Sequence, residues 1–143
     1  MIYTIYDNQG KIGGILSFSD PTLAELNLSG KNYIEGSYPG DQYYIENGQA
    51  IEIPPNPSTG NIIYKFDQSL KQWVLQTEES SANIRMNRKG LLQEIDRVNP
   101  IWYASLTAEQ QTELATYRQA LLDVPQQANF PLDVNWPTKP NWL

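Results

Sequence analysis

The stretch FPLDVNWPTKPNWL, residues 130–143, closes the chain and decides how its second half can fold. Three prolines restrict its backbone to extended conformations, while Phe130, Trp136 and Trp142 bring large apolar area. The stretch has neither helical nor strand periodicity. Because a chain end is normally ordered only where it packs against something, we predict that this segment docks, on this chain or on a partner protein.

Two helices are predicted upstream of this segment. The first must end before Pro100, and its apolar stripe consists of Ile84, Leu91, Ile95 and Val98. The second begins at a capping box, with Thr107 at the N-cap and Gln110 three positions later. Its apolar face holds Leu114, Tyr117 and Leu121. Joined through IWYASL (residues 101–106), the pair predicts a helical hairpin whose narrow stripes need another surface to cover them.

In the first half of the chain, turn-forming residues separate short β-prone stretches, a pattern typical of short strands. Residues 47–48 are Asn-Gly between two β-prone runs, which predicts a type I′ hairpin with Glu46 opposite Gln49. NIIYKF (residues 61–66) and QWVLQ (residues 72–76) predict a second hairpin. The proline cluster that separates the two hairpins can form only a connection or an edge.

The N-terminal residues add two strands and a short helix. Residues 2–6 and 12–18 are β-prone, and Gly13-Gly14 predicts a bulge in the second strand. Asp20, followed by a proline, predicts the N-cap of a helix over residues 22–28. The fold class that follows is α+β, with a β-rich module over residues 1–76 and a helical hairpin with an extended Pro/Trp-rich tail over residues 77–143.

The composition disfavours several functions. The chain has no His and no Cys, so the side chains that most often serve as general base, thiolate nucleophile or zinc ligand are missing. The net charge of −6 argues against binding to a nucleic-acid backbone. No stretch is apolar enough for a transmembrane span, and no signal peptide is recognisable at Met1, so we expect a cytosolic protein. We predict no catalytic residue, no cofactor and no metal; a hydrolase built on Asp and Glu stays open.

Two further groups of residues are interpreted as structural and not as functional. Arg85, Arg88, Lys89 and Arg97 form a basic cluster on the first long helix. With acidic neighbours close by, a solvated helix face is the preferred interpretation, and a rim for an acidic partner protein is the second. Trp102 and Tyr103, between the two helices, are expected to be core residues.

The second helix and the tail resemble a known family. YRQALLDVPQQANFPLDVNWPTKP, residues 117–140, is similar to the C-terminal signature of the phage tail assembly chaperone family. That signature has a capped helix ending in a YRQAL-like stretch, then D-[IVL]-x-x-Q, an FP pair and W-P-x-K-P. The detailed match covers residues 107–140. More loosely, the first half resembles β-rich modules of phage tail-fibre accessory proteins, through an MIY strand, a YY-x-x-x-G hairpin at residues 43–48 and a proline cluster at 54–57.

The resemblance implies a non-enzymatic protein that binds tail or tail-fibre subunits and aids their assembly or attachment. The expected partners are tail-fibre or baseplate proteins, and a homo-oligomer stays open. The expected location is the host cytoplasm during assembly; the alternative is a permanent virion component that connects tail fibre and baseplate. The candidate partner-binding residues are Phe130, Pro131, Trp136, Pro137, Lys139, Pro140, Trp142, Tyr117 and Arg118.

Overall fold

Strands occupy the first half of the chain and long helices the second in the computed structural model, which describes residues 1–143. The predicted α+β class is confirmed. The chain divides into two units. The first contains Met1–Pro57 and Tyr64–Val74, and the second contains Ser58–Ile63 and Leu75–Leu143. The prediction of two domains that meet near residue 76 stays a prediction.

The first unit begins with a three-stranded antiparallel sheet. β1 (Ile2–Tyr6) is the central strand, between β2 (Ile12–Ser17) and β3 (Asn32–Glu35). The pairing of β1 with β2 shifts by one residue after Ile5, which leaves Gly13 as the extra residue of a bulge. The predicted bulge is therefore confirmed. β3 was not predicted from the sequence, and it forms one edge of the sheet.

A short helix connects β2 with β3. This helix, α1 (Pro21–Leu28), begins where the Oδ1 atom of Asp20 accepts a hydrogen bond from the amide of Thr22, at 2.8 Å. The predicted cap and helix are confirmed. Ala24 and Leu28, four residues apart on one face, are its buried residues.

Both predicted hairpins are present. β4 (Tyr43–Glu46) and β5 (Gln49–Glu52) pair in the predicted register across residues 47–48, whose φ angles are 52° and 74°. Positive φ at both turn residues is the requirement of a type I′ turn, which Asn and Gly meet at low strain. β6 (Tyr64–Asp67) and β7 (Gln72–Leu75) form the second two-stranded sheet.

One side chain links three segments of the first unit. Gln68, in the turn after β6, donates from its amide to the carbonyls of Gly40 and Tyr43. The Oε1 atom of the same side chain accepts a hydrogen bond from the amide of Ile12, at 2.6 Å. Ile12 and Tyr43 are the first residues of β2 and β4, so the Gln68 amide satisfies backbone groups where these strands begin.

The second unit is helical. It contains α2 (Thr77–Asp96), α3 (Pro100–Ala104), α4 (Ala108–Leu122) and a short 3₁₀ helix, Val124–Gln126. The capping box is formed as predicted, because Thr107 and Gln110 each accept a hydrogen bond from the other's backbone amide. The buried core of the unit consists of Ile95, Leu114, Tyr117 and Leu121. No helix in the structure is both long enough and apolar enough to span a bilayer.

The expectation that Trp102 and Tyr103 are core residues is wrong. Their exposed fractions are 38% and 41%, and α3 contains no buried residue. α3 begins at Asn99, whose Oδ1 atom accepts from the amide of Ile101 at 2.8 Å. A helix of five residues is too short to present a continuous apolar face to the core, so its large side chains remain near the surface.

A substitution at Gly10 tests the packing of the first unit. Its φ is +84°, and a Cβ atom at this position would lie 2.1 Å from the carbonyl oxygen of Ile45. We expect Gly10→Ala to lower the free energy of unfolding of this unit by about 3 kcal/mol, since backbone strain and steric overlap add. Urea unfolding followed by circular dichroism measures the change. The matched control is Gly14→Ala, whose Cβ meets no atom within 4 Å; equal stability of the two variants would contradict the packing described here.

Candidate partner-binding surface

The C-terminal segment (residues 127–143) folds back onto the helices of its own unit. Turns occupy residues 128–133, and residues 134–140 have no regular secondary structure. Trp136, Trp142 and Leu143 pack against the buried core of α2 and α4. The surface on which this segment docks is therefore present on the same chain.

Polar contacts hold this segment in place. The side chain of Gln127 donates to the carbonyl of Asn135 and accepts from its amide, both at 2.8 Å. The indole N–H of Trp142 donates to the Oε2 atom of Glu113 at 2.8 Å. The segment has no regular secondary structure to pair its backbone, so these side-chain bonds satisfy the backbone groups of Asn135 and the indole N–H of Trp142. They fix the path of the segment as well as its end.

Two arginines of the predicted basic cluster take part in the packing of the unit. The guanidinium of Arg85 lies 5.4 Å from the ring centroid of Phe130, within cation–π distance. The Nη1 atom of Arg88 donates to the carbonyl of Leu122 at the end of α4, at 3.0 Å. The interpretation of this cluster as a solvated helix face does not account for the contacts of Arg85 and Arg88. Lys89 and Arg97 are exposed.

The nine candidate partner-binding residues fall into three classes of burial. Tyr117 and Pro131 are buried; Arg118 and Lys139 are exposed; the half-buried members are Phe130, Trp136, Pro137, Pro140 and Trp142. Arg118 pairs with Asp96 at 2.9 Å and Lys139 with Glu94 at 3.5 Å. The structure thus brings most of these residues together where the C-terminal segment meets α2 and α4. Their contact with a partner protein stays a prediction.

Sequence reasoning missed a surface beside this segment. Ile101 is 82% exposed, and the ring of Trp102 lies 6.4 Å from that of Trp142. Ile101, Trp102 and Tyr103 are exposed on α3, and Trp142 lies half-buried beside Trp102; these four residues are here named the α3 patch. The sequence signal that could have indicated this surface is Asn99-Pro100, which begins a helix of only five residues. A helix this short has no buried face, so its large side chains stay near the surface.

A groove adjoins the α3 patch. It has a volume of about 390 Å³ and lies between the end of α2, the start of α3 and the middle of α4. Most of its lining is apolar and comes from Ile95, Val98, Pro100, Tyr103, Leu114 and Ala115. The Arg118–Asp96 ion pair also lines it. Apolar floors with a few charged neighbours are typical of the centres of protein interfaces.

The helical unit contains the part of the chain that resembles a known family. Residues 81–141 match the family model described as phage tail assembly chaperone protein. The resemblance predicted for residues 107–140 is confirmed, and the match extends it upstream through most of α2. No curated protein and no solved structure matches the chain significantly. Residues 81–141, fewer than half of the chain, are thus similar to phage tail assembly chaperone proteins.

Docking of the C-terminal segment gives a stability prediction. Trp136 packs against the buried core, whereas Trp102 lies on the surface. We expect Trp136→Ala to lower the free energy of unfolding of the helical unit by about 2–3 kcal/mol, because apolar contacts with the core are lost. Trp102→Ala is the matched control and should change it by less than about 1 kcal/mol. Urea unfolding followed by far-UV circular dichroism measures both; a larger loss for Trp102→Ala would contradict the packing.

Proposed function

We propose that this protein binds unassembled tail or tail-fibre subunits through the α3 patch and the adjoining groove, and covers their apolar surfaces until they assemble. The observation that carries the proposal is the exposure of Ile101, Trp102 and Tyr103 in a unit that matches the tail assembly chaperone family. Contiguous exposed apolar side chains are uncommon on monomeric proteins and mark interaction sites.

The physical need for such a protein lies in its partners. Fibrous subunits have unpaired strand edges and apolar patches before they trimerise or attach, and both promote unwanted association. Aromatic residues supply much of the binding energy at interfaces because they bury large areas with few rotatable bonds. Trp102, Tyr103 and Trp142 are residues of this kind. A bound chaperone removes the exposed apolar area from water while the subunit waits for its final contacts.

The nine candidate residues then have two roles in this proposal. Trp142 belongs to the α3 patch, and Lys139 and Pro140 line a second groove beside α4. We assign to these three residues direct contact with the subunit, together with Arg118 at the groove that adjoins the patch. The other candidates position that segment from within the unit; they are Tyr117, Phe130, Pro131, Trp136 and Pro137.

The alternative function is a permanent virion component that connects tail fibre and baseplate. A chaperone acts in the host cytoplasm and leaves before the particle is complete, whereas a connector remains. We expect mass spectrometry of purified virions to detect the fibre and baseplate proteins without this protein. Its presence in stoichiometric amounts would support the connector instead.

The binding surface can be tested with exposed side chains. Deleting residues 130–143 would also uncover the core of the unit, so point substitutions are more informative. We expect the double variant Ile101→Ser and Trp102→Ala to reduce co-purification with the co-expressed tail or tail-fibre subunit at least about tenfold, which corresponds to a loss of about 1.4 kcal/mol. Affinity pull-down followed by quantitative immunoblotting measures this ratio.

The matched control for this experiment is Met86→Ser. Met86 is 75% exposed on α2 and is not part of the α3 patch. It should leave co-purification unchanged, and circular dichroism should show that all variants fold. Full retention of the subunit by the double variant, with the wild-type fold intact, would overturn the assignment of the α3 patch.

A further inference from the structure

Three hairpin turns of the first unit meet around one cleft. They are the β1–β2 turn (residues 7–10), the β4–β5 turn (residues 47–48) and the β6–β7 turn (residues 69–71). The cleft has a volume of about 660 Å³, and Asn32 at the start of β3 completes its wall. Loops held together at one end of a rigid scaffold are the usual location of binding sites in β proteins.

Hydrogen bonds fix these turns before any ligand is present. The Oδ1 atom of Asp7 accepts from the amides of Gln9 and Lys11, each at 2.9 Å. The carbonyl of Gly10 accepts from the amide of Ile45 at 3.2 Å, which ties the first turn to β4. The third turn is fixed in the same way by Asp67, whose Oδ1 atom accepts from two turn amides. A preformed site avoids the entropy loss of ordering loops on binding.

The side chains in the cleft are mostly neutral hydrogen-bonding groups. The Nδ2 atom of Asn32 donates to the Oδ1 atom of Asn8 at 2.9 Å. This bond aligns the two amides, so that the NH₂ of Asn8 offers donors beside the carbonyl oxygen of Asn32 as an acceptor. Neighbouring hydroxyls of a sugar both donate and accept, and they complement such a pair. Gln9, Asn47 and Ser69 add further groups of the same type.

Apolar surface lies next to these polar groups. Leu70 is 60% exposed at the rim. Tyr6 also lines the cleft, and its hydroxyl approaches the β4–β5 turn at Gly48. Polar groups beside a small apolar surface suit a pyranose ring, which has hydroxyls around its edge and C–H bonds on its faces. Small-molecule sites commonly combine apolar walls with a few well-placed polar groups in this way.

The charges in the cleft disfavour anions and metal ions. Lys71 is the one cationic side chain in the lining, and its Nζ atom lies 3.4 Å from the Oε1 atom of Glu46. Asp7 is the one anionic side chain in the lining. No group of three or more potential metal ligands is present. We propose that this cleft binds a neutral saccharide, an activity separate from the proposed binding of tail subunits by the helical unit.

The test is a titration of the full chain followed by ¹⁵N–¹H NMR. The probes are glucose, galactose and N-acetylglucosamine, each added to about 50 mM, because small ligands in open sites bind with dissociation constants of about 1–10 mM. At least one sugar should give saturable shifts at the amides of residues 7–10, 32, 47–48 and 69–71. Asn8→Ala and Asn32→Ala should each weaken this binding about tenfold, since an aligned donor and acceptor are lost.

The matched control is Asn27→Ala, on the exposed side of α1, which should leave the affinity for the sugar unchanged. Three outcomes would overturn the proposal. The first is the absence of saturable shifts with all three sugars. The second is larger shifts of the same amides with sodium phosphate, which would mean an anion site. The third is sugar binding that neither cleft variant weakens.

Discussion

The packing of Trp136 and Trp142 onto the helix pair is the contact on which the C-terminal unit depends. α2 and α4 carry narrow apolar stripes, and a two-helix hairpin leaves one side of such stripes in water. Burying about 100 Å² of each indole contributes about 2.5 kcal/mol per ring, at about 25 cal/mol per Å². That is a substantial share of the stability expected of a unit of this size. The C-terminal segment is therefore a structural part of the helical fold.

This packing also accounts for the exposed aromatic residues. The indoles of the C-terminal segment cover the core from one side, and α3 is too short to contribute a buried face of its own. Trp102 therefore remains at the surface, with its ring against that of Trp142. The contact that stabilises the unit thus borders the surface proposed to bind tail subunits. A substitution that released the segment would disturb both, which is why exposed residues of α3 are the better probes of binding.

Local sequence signals predicted most of the fold. The capping box at Thr107, the N-cap at Asp20 and the Asn-Gly turn at residues 47–48 each depend on a few adjacent residues, so they could be recognised without knowledge of the rest. β3 was missed because it pairs with β1, some thirty positions earlier, and no turn motif joins the two strands. Nor could the sequence determine whether the C-terminal segment docks on its own chain, because apolar residues and prolines serve equally well within a chain and between chains. The α3 patch was missed for a related reason, since burial depends on what else covers the core.

The most direct test of this account is the environment of the Trp142 indole in the free protein. A NOESY spectrum of the full chain should contain cross-peaks from the indole N–H of Trp142 to the side chain of Glu113, which accepts its hydrogen bond at 2.8 Å. It should also contain cross-peaks between the rings of Trp142 and Trp102, whose centroids lie 6.4 Å apart. The cross-peaks should persist on dilution, as expected for a contact within one chain. An indole N–H with a random-coil shift and no such cross-peaks would contradict the account.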